Sequence, residues 1–393
     1  MRGVGSSSYE SPMLLRRGGL LVIPTALALV VGLGAPTAQA QSGAVYRWGA
    51  YKTVGFGAAG AQKVPSLVPG VSGVVALAAG NSATYALTSA GTEWAWGNNG
   101  YGQLGNHTRD NSLLTPVQVD FPGGVHVTAI GEGDDMAFAV DSTGHGWSWG
   151  WNGRGTLCLG THRGHDVPTR VAGLSNLVSV EAGGGAVVWL TASGQVYTCG
   201  GTLTGPHETP WLVHGLPSGD PAVAISAGNA YSTALLADGQ IWDWGVGGAG
   251  QLGNGASVNS AHPVKVQLPA GTHATEVYSG GDLGNDGHQM AILNTGQVVA
   301  WGSDDCGQLG VGKPSSENVP LPVVNLKGIT ATYVASGGST SYVLDNRGNL
   351  WAWGSNKGGQ VRSPTSKCSA ITKVDSGVSL VSATASDVVD YHG

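Results

Sequence analysis

Positive charge is scarce in this chain. Of 393 residues only 18 are lysine or arginine, against 24 aspartates and glutamates, for a formal net charge of −6. A protein that grips a nucleic-acid backbone needs a basic face to displace counterions, so DNA and RNA are excluded as expected partners. Beyond residue 40 no apolar run is long enough to span a bilayer, so no membrane contact is expected of that part. Neither His-Glu-x-x-His nor a phosphate-binding loop occurs. There are four cysteines, Cys158, Cys199, Cys306 and Cys368, and no spacing among them matches a zinc ribbon or a Cys-x-x-Cys pair. No cofactor and no metal are expected. Two groupings come nearest to a metal site: His162-x-x-His165 beside Asp166, and Asp282 with Asn285 and Asp286. A polar loop accounts for each more simply.

The one long apolar run sits at the start. Arg16-Arg17 precede the apolar residues 20–33, and Ala38-Gln39-Ala40 follows. That order is a secretory signal peptide, so residues 1–40 are expected to be cleaved and the protein exported. Pro24 within the run, and the lack of a basic cluster after it, argue against an anchor. Cleavage removes three positive charges and one negative, turning −6 into −8. Export also permits the cysteines to pair.

Glycine and tryptophan are plentiful, 67 and 13 residues, and both follow a period. Strand endings of one type recur at Trp48-Gly49, Trp96-Gly97, Trp149-Gly150, Cys199-Gly200, Trp244-Gly245, Trp301-Gly302 and Trp353-Gly354. The intervals are 48, 53, 50, 45, 57 and 52 residues, which marks an array of supersecondary units. Residues 74–119 show the unit: a small-residue apolar strand, a second strand, an Ala90-Gly91 turn, the alternating Glu93-Trp94-Ala95-Trp96, a Gly-rich loop and a short fourth strand. Four short strands with turn signals between them form a propeller blade. Residues i and i+2 share a strand face, so paired tryptophans such as Trp94 and Trp96 are expected between blades, as core. The two chain ends complement each other. Residues 376–393 supply inner strands, and residues 41–70 supply a third strand without predecessors. Residues 41–393 are therefore expected to form a single seven-bladed, all-β propeller whose last blade is shared by both ends, which removes free sheet edges.

The stretch from Trp96 through Gly102-Gln103-Leu104-Gly105 resembles the signature of the regulator of chromosome condensation repeat. So do Trp244 through Gly250-Gln251-Leu252-Gly253 and Trp301 through Gly307-Gln308-Leu309-Gly310. The resemblance covers essentially the whole chain after residue 40 and implies a seven-bladed propeller. Its best-known member exchanges nucleotide on a nuclear GTPase, an activity that does not suit an exported acidic protein. The architecture is also similar to the propeller-type β-lactamase inhibitor proteins of actinomycetes, whose repeats are shorter and lack Gly-Gln-Leu-Gly.

Within a blade, loops one–two and three–four share one face and the tight turns lie on the other. The loop face collects Tyr51, Phe56, Tyr101, Trp151, Asp304 and Asp305 from three–four loops. From one–two loops it gains Glu132, Asp134, Asp135 and Tyr231, and an expanded loop in the fifth full repeat adds Asp282, Asp286 and His288. Exposed aromatics on a rigid face are the usual anchors of protein interfaces, and solvated loop tips are the plainer alternative. The cysteines fit two bridges between adjacent blades, Cys158–Cys199 and Cys306–Cys368, with four free thiols as the alternative. The expected function is a monomeric, non-catalytic scaffold that binds another, extracellular protein through the loop face. Alternatives are an inhibitor of an extracellular enzyme such as a β-lactamase, or an enzyme on glycan or cell-wall material whose carboxylates converge at the axis.

Overall fold

The computed structural model describes residues 43–49, 62–80, 82–110, 113–203, 205–281, 287–326, 328–364, 367–383 and 387–392. Among these, all regular structure is strand, arranged as seven four-stranded antiparallel sheets. Six blades are continuous in sequence: blade one (74–118), two (127–170), three (177–212), four (222–265), five (274–322) and six (331–376). The seventh takes its two inner strands, Leu380–Ala383 and Asp387–His392, from one end of the chain. Its outer strands, Ala44–Gly49 and Gln62–Val68, come from the other. The ends join in register from Ala44 opposite His392 to Gly49 opposite Asp387, as the sequence predicts.

The Trp-Gly ending has a steric cause. In the third strand of blade two, Gly150 has φ 97°. A Cβ there would sit 2.3 Å from the Asp135 carbonyl oxygen of the neighbouring strand. Gly302 and Gly354 stand in the same way against Gly287 and Ser339. Only glycine takes this backbone without strain. The tryptophan before it turns back to the previous blade. Trp149 Nε1 donates to the Gln103 carbonyl at 2.8 Å, Trp353 to Gln308 at 2.8 Å and Trp48 to Gln360 at 3.0 Å. These indoles are fully buried. Each of these seams therefore carries one large apolar side chain with its single polar atom satisfied, worth about 3–5 kcal/mol against alanine; the indole N–H of Trp96, equally buried, has no such acceptor among the described residues.

The seam between blades two and three departs from this. Cys199 occupies the tryptophan position and is disulfide-bonded to Cys158 in the three–four loop of blade two, with a Cα–Cα distance of 5.6 Å. The fully buried Trp189, from the second strand of blade three, packs edge-on to Phe138, with ring centroids 5.8 Å apart. Cys306 and Cys368 form the second bridge, between blades five and six, so both expected pairings are present.

Candidate functional site

The three–four loops on the loop-rich face are held by their own side chains. In blade one, Asn99 Oδ1 accepts from Leu104 N at 3.0 Å, and Gln103 Oε1 accepts from Tyr101 N at 2.9 Å. Gln103 Nε2 then reaches blade two and donates to Asp135 Oδ1 at 3.0 Å. Asn99 and Gln103 are fully buried, while Tyr101 between them is 46% exposed. The Gly-Gln-Leu-Gly pattern thus does two jobs: the glutamine locks the loop to the next blade, and the leucine fills the core beneath.

This frame decides what became of the other candidate residues. Asp304 Oδ1 accepts from Leu309 N at 2.9 Å, the position that Asn99, Asn152 and Asn356 hold in other blades. It is an interior loop anchor, and burial lifts its carboxyl to about 6. Tyr231 is also interior; its hydroxyl donates to the Gly280 and His288 carbonyls of blade five. The His288 ring is buried, with Nε2 2.8 Å from Ser341 Oγ and 2.9 Å from Ser336 Oγ of blade six. Burial lowers its pKa to about 4. Trp151 is half-buried and packs against the core cluster that includes Cys158 and Cys199. Asp134 and Asp135 are partly exposed, and Asp305 is exposed in a shallow groove between the loops of blades four and five. Tyr51, Phe56, Asp282 and Asp286 lie outside the described residues. Gly146-Trp147-Ser148-Trp149-Gly150 fits the letters of a Gly-x-Ser-x-Gly nucleophile motif, but Ser148 is fully buried in a strand and donates to the Leu157 carbonyl.

At the centre, the seven inner strands converge on an axial channel. Glycines line it because the strands run too close for side chains: a Cβ on Gly183 would meet the Gly228 carbonyl oxygen at 1.8 Å. Glu132, Asp134 and Glu181 project into it beside Tyr278 and Tyr333, with no Lys, Arg or His among its described lining residues. Burial raises Glu181 to about 8; burial, with Asp134 and Glu181 adding repulsion, pushes Glu132 well above the usual carboxylate range. Nearby, Glu276 is raised to about 7 by burial, eased by the Val334 N–H that it accepts at 3.2 Å. The sequence placed Glu132 on this face. Glu181 and Glu276 are legible only once the inner strands are aligned, where they replace the alanines and serines of other blades.

Comparison with known proteins follows the same lines. A model of the Regulator of chromosome condensation (RCC1) repeat matches residues 91–140, 143–190, 238–284 and 295–344, and a second matches 74–103 and 331–360. The chain is 29% identical over 295 residues to RCC1 domain-containing protein RUG3, mitochondrial, of Arabidopsis thaliana, covering 71% of this chain and 64% of that protein. It is 28% identical over 346 residues to the Ultraviolet-B receptor UVR8 of the same plant, covering 83% and 75%. It matches human E3 ubiquitin-protein ligase HERC2 at 28% identity, over 69% of this chain but only 6% of that protein. Among solved structures, Prp20p of Saccharomyces cerevisiae has a TM-score of 0.76 at 20% identity, covering 89% of this chain and 91% of that one. Human WBSCR16 has the same score and identity, covering 89% and 98%. At such identities the structural likeness is one of fold. The repeat matches, the ring of seven blades and the Gly-Gln-Leu-Gly loop locks together make this chain a member of the Regulator of chromosome condensation (RCC1) repeat family.

Proposed function

We propose that the chain is an exported, monomeric scaffold that binds another protein through its loop-rich face, without catalysis. One observation carries this reading. Buried Asn99 and Gln103 hold a loop that presents Tyr101 outward and tie it to Asp135 of blade two, on the face that also carries the half-buried Trp151 and the partly exposed Asp134. Fixed aromatics on a rigid frame bind at low entropic cost. Relatives lend support: Prp20p of Saccharomyces cerevisiae binds Gsp1p and histones, and yeast RCC1 has been solved with Kap60 bound to it. The two disulfides are consistent with life outside the cytoplasm. The test is capture from the extracellular proteome with the intact protein. A partner retained by wild type and by a Val223→Ala variant, altered at an exposed strand residue of blade four, but lost by Tyr101→Ala and Trp151→Ala, supports the reading. A partner indifferent to Tyr101 and Trp151 sinks it.

An enzyme acting on glycans has one observation in its favour, the raised carboxylates of the axis. Magnitude weighs against it. The channel encloses about 120 Å³, below the roughly 300 Å³ at which ligand pockets begin. Loss of hydrolysis of a cell-wall polymer on Glu132→Gln with Glu181→Gln, from a measurable wild-type rate, would reverse the preference. Inhibition of an extracellular enzyme such as a β-lactamase is a special case of the binding reading, tested by hydrolysis rates with and without the protein.

A further inference from the structure

The closing seam, between blade six and the shared seventh blade, holds a cluster that no sequence motif announces. Asp390 and His392 lie on the strand Asp387–His392, and Asp375 lies on Cys368–Ser376, the outer strand of blade six. One ligand-type atom from each falls within 4.8 Å of the other two. Asp390 is fully buried and His392 is 4% exposed. Neither Asp390 oxygen accepts a hydrogen bond. Its ion pair with His392 Nε2 spans 3.5 Å, too long for a good hydrogen bond. A dry carboxylate held by one long ion pair and no well-formed hydrogen bond is costly and calls for a proton or a cation.

We propose that Asp375, Asp390 and His392 bind a divalent transition-metal ion of the zinc class. Two donors each about 2.1 Å from a tetrahedral ion stand about 3.4 Å apart, close to the Asp390–His392 separation. One imidazole with two carboxylates suits zinc better than calcium, which takes oxygen alone. The surroundings resemble the outer shell of a metal site. Arg362 donates to Asp375 Oδ2 at 3.1 Å and to the Val374 carbonyl, which fixes that carboxylate. Tyr46 packs edge-on to the His392 ring, with centroids 5.2 Å apart. Asp375 is partly exposed and gives the ion a way in. The bound ion would tie blade six to the blade that both chain ends build. The competing account is an ion-pair cluster only, with Arg362 and protonated His392 balancing the two aspartates.

The experiment is calorimetric titration of the chelator-treated protein with Zn²⁺, together with thermal unfolding. One ion bound per chain is expected, with Tm rising as Zn²⁺ is added and binding weakening as acid protonates the ligands. Asp390→Asn and His392→Gln should abolish binding. Asp375→Asn, at the exposed edge, should weaken it about tenfold or more and decides the matter if the buried variants do not fold. His107→Asn with His162→Asn, which removes the exposed His–carboxylate pairs, should leave binding intact. Absence of binding by wild type, or undiminished binding by folded Asp375→Asn and His392→Gln, overturns the proposal in favour of the ion-pair cluster.

Discussion

Two seams of this ring share a backbone and differ in chemistry. Between blades two and three the contact is apolar, built on Phe138, Val187 and Trp189 and closed by Cys158–Cys199. Between blades four and five the matching positions are polar: Phe138 becomes Thr233, Ser148 becomes Asp243 and Val187 becomes Gln289. There, Asp243 accepts from Thr233 Oγ1 and Gln289 Nε2, each at 2.7 Å, and Gln289 also donates to the Gln251 carbonyl at 2.7 Å. All four residues are buried. The lesson is that the blade geometry tolerates either filling, the polar one here because Thr233, Asp243 and Gln289 partner one another. Burial pushes the Asp243 carboxyl well above its ordinary range, against the hydrogen bonds from Thr233 and Gln289 that lower it.

The comparison can be broken in graded steps. Replacing Cys158 and Cys199 by alanine should cost the most, about 4 kcal/mol from chain entropy over a loop of this length, read from urea midpoints. A cost below about 1 kcal/mol would mean that packing around Trp189 holds the seam alone. In the polar seam, Asp243→Ala strands Gln289 and Thr233 and should cost about 3 kcal/mol, whereas Ser148→Ala at the matching position should cost about 1 kcal/mol. Equal costs would show that the network contributes no more than a lone hydroxyl. The pH profile tests the same side of the ring. His288 is lowered to about 4 by burial, so the unfolded chain binds its proton first. Its contribution is complete above about pH 6.5 and fades as pH falls toward 4, by up to about 3 kcal/mol. His288→Gln should flatten that acid limb. Glu181, raised to about 8 by burial, has the opposite sign: its contribution is present below about pH 4.5 and fades as pH rises through 8. Glu181→Gln should flatten the alkaline limb and leave the acid one alone. Tyr231→Phe removes a hydroxyl shared by the Gly280 and His288 carbonyls and should cost about 1 kcal/mol. Smallest of all, Tyr101→Ala should change stability by less than about 0.5 kcal/mol while removing the proposed partner contact.

Much of this ring is legible in the sequence, and the reason is repetition. A Trp-Gly ending works only where a glycine φ and a buried indole coincide, so its recurrence reports blades directly. Closure by both ends follows from counting strands, and placing the cysteines within them gave the two disulfides as one of two readings. The candidate face is less legible, because a loop residue shows its type and not its direction. Tyr231, His288 and Asp304 have the chemistry of surface groups and lie inside. Asp304 had a signal: it stands where Asn99, Asn152 and Asn356 stand, two residues after the glycine.

By itself, then, the sequence determined the number of blades, their order and their closure, since each follows from a local pattern repeated along the chain; the cysteine pairing it offered beside four free thiols, and the structure chose the bridges. Tertiary structure alone decided which polar residues meet. Asp243 and Gln289 are 46 residues apart, and Asp375, Asp390 and His392 belong to two different blades. The physical reason is that strand alternation fixes the face a side chain takes, while the partner across a seam is set by ring closure, which no local pattern encodes.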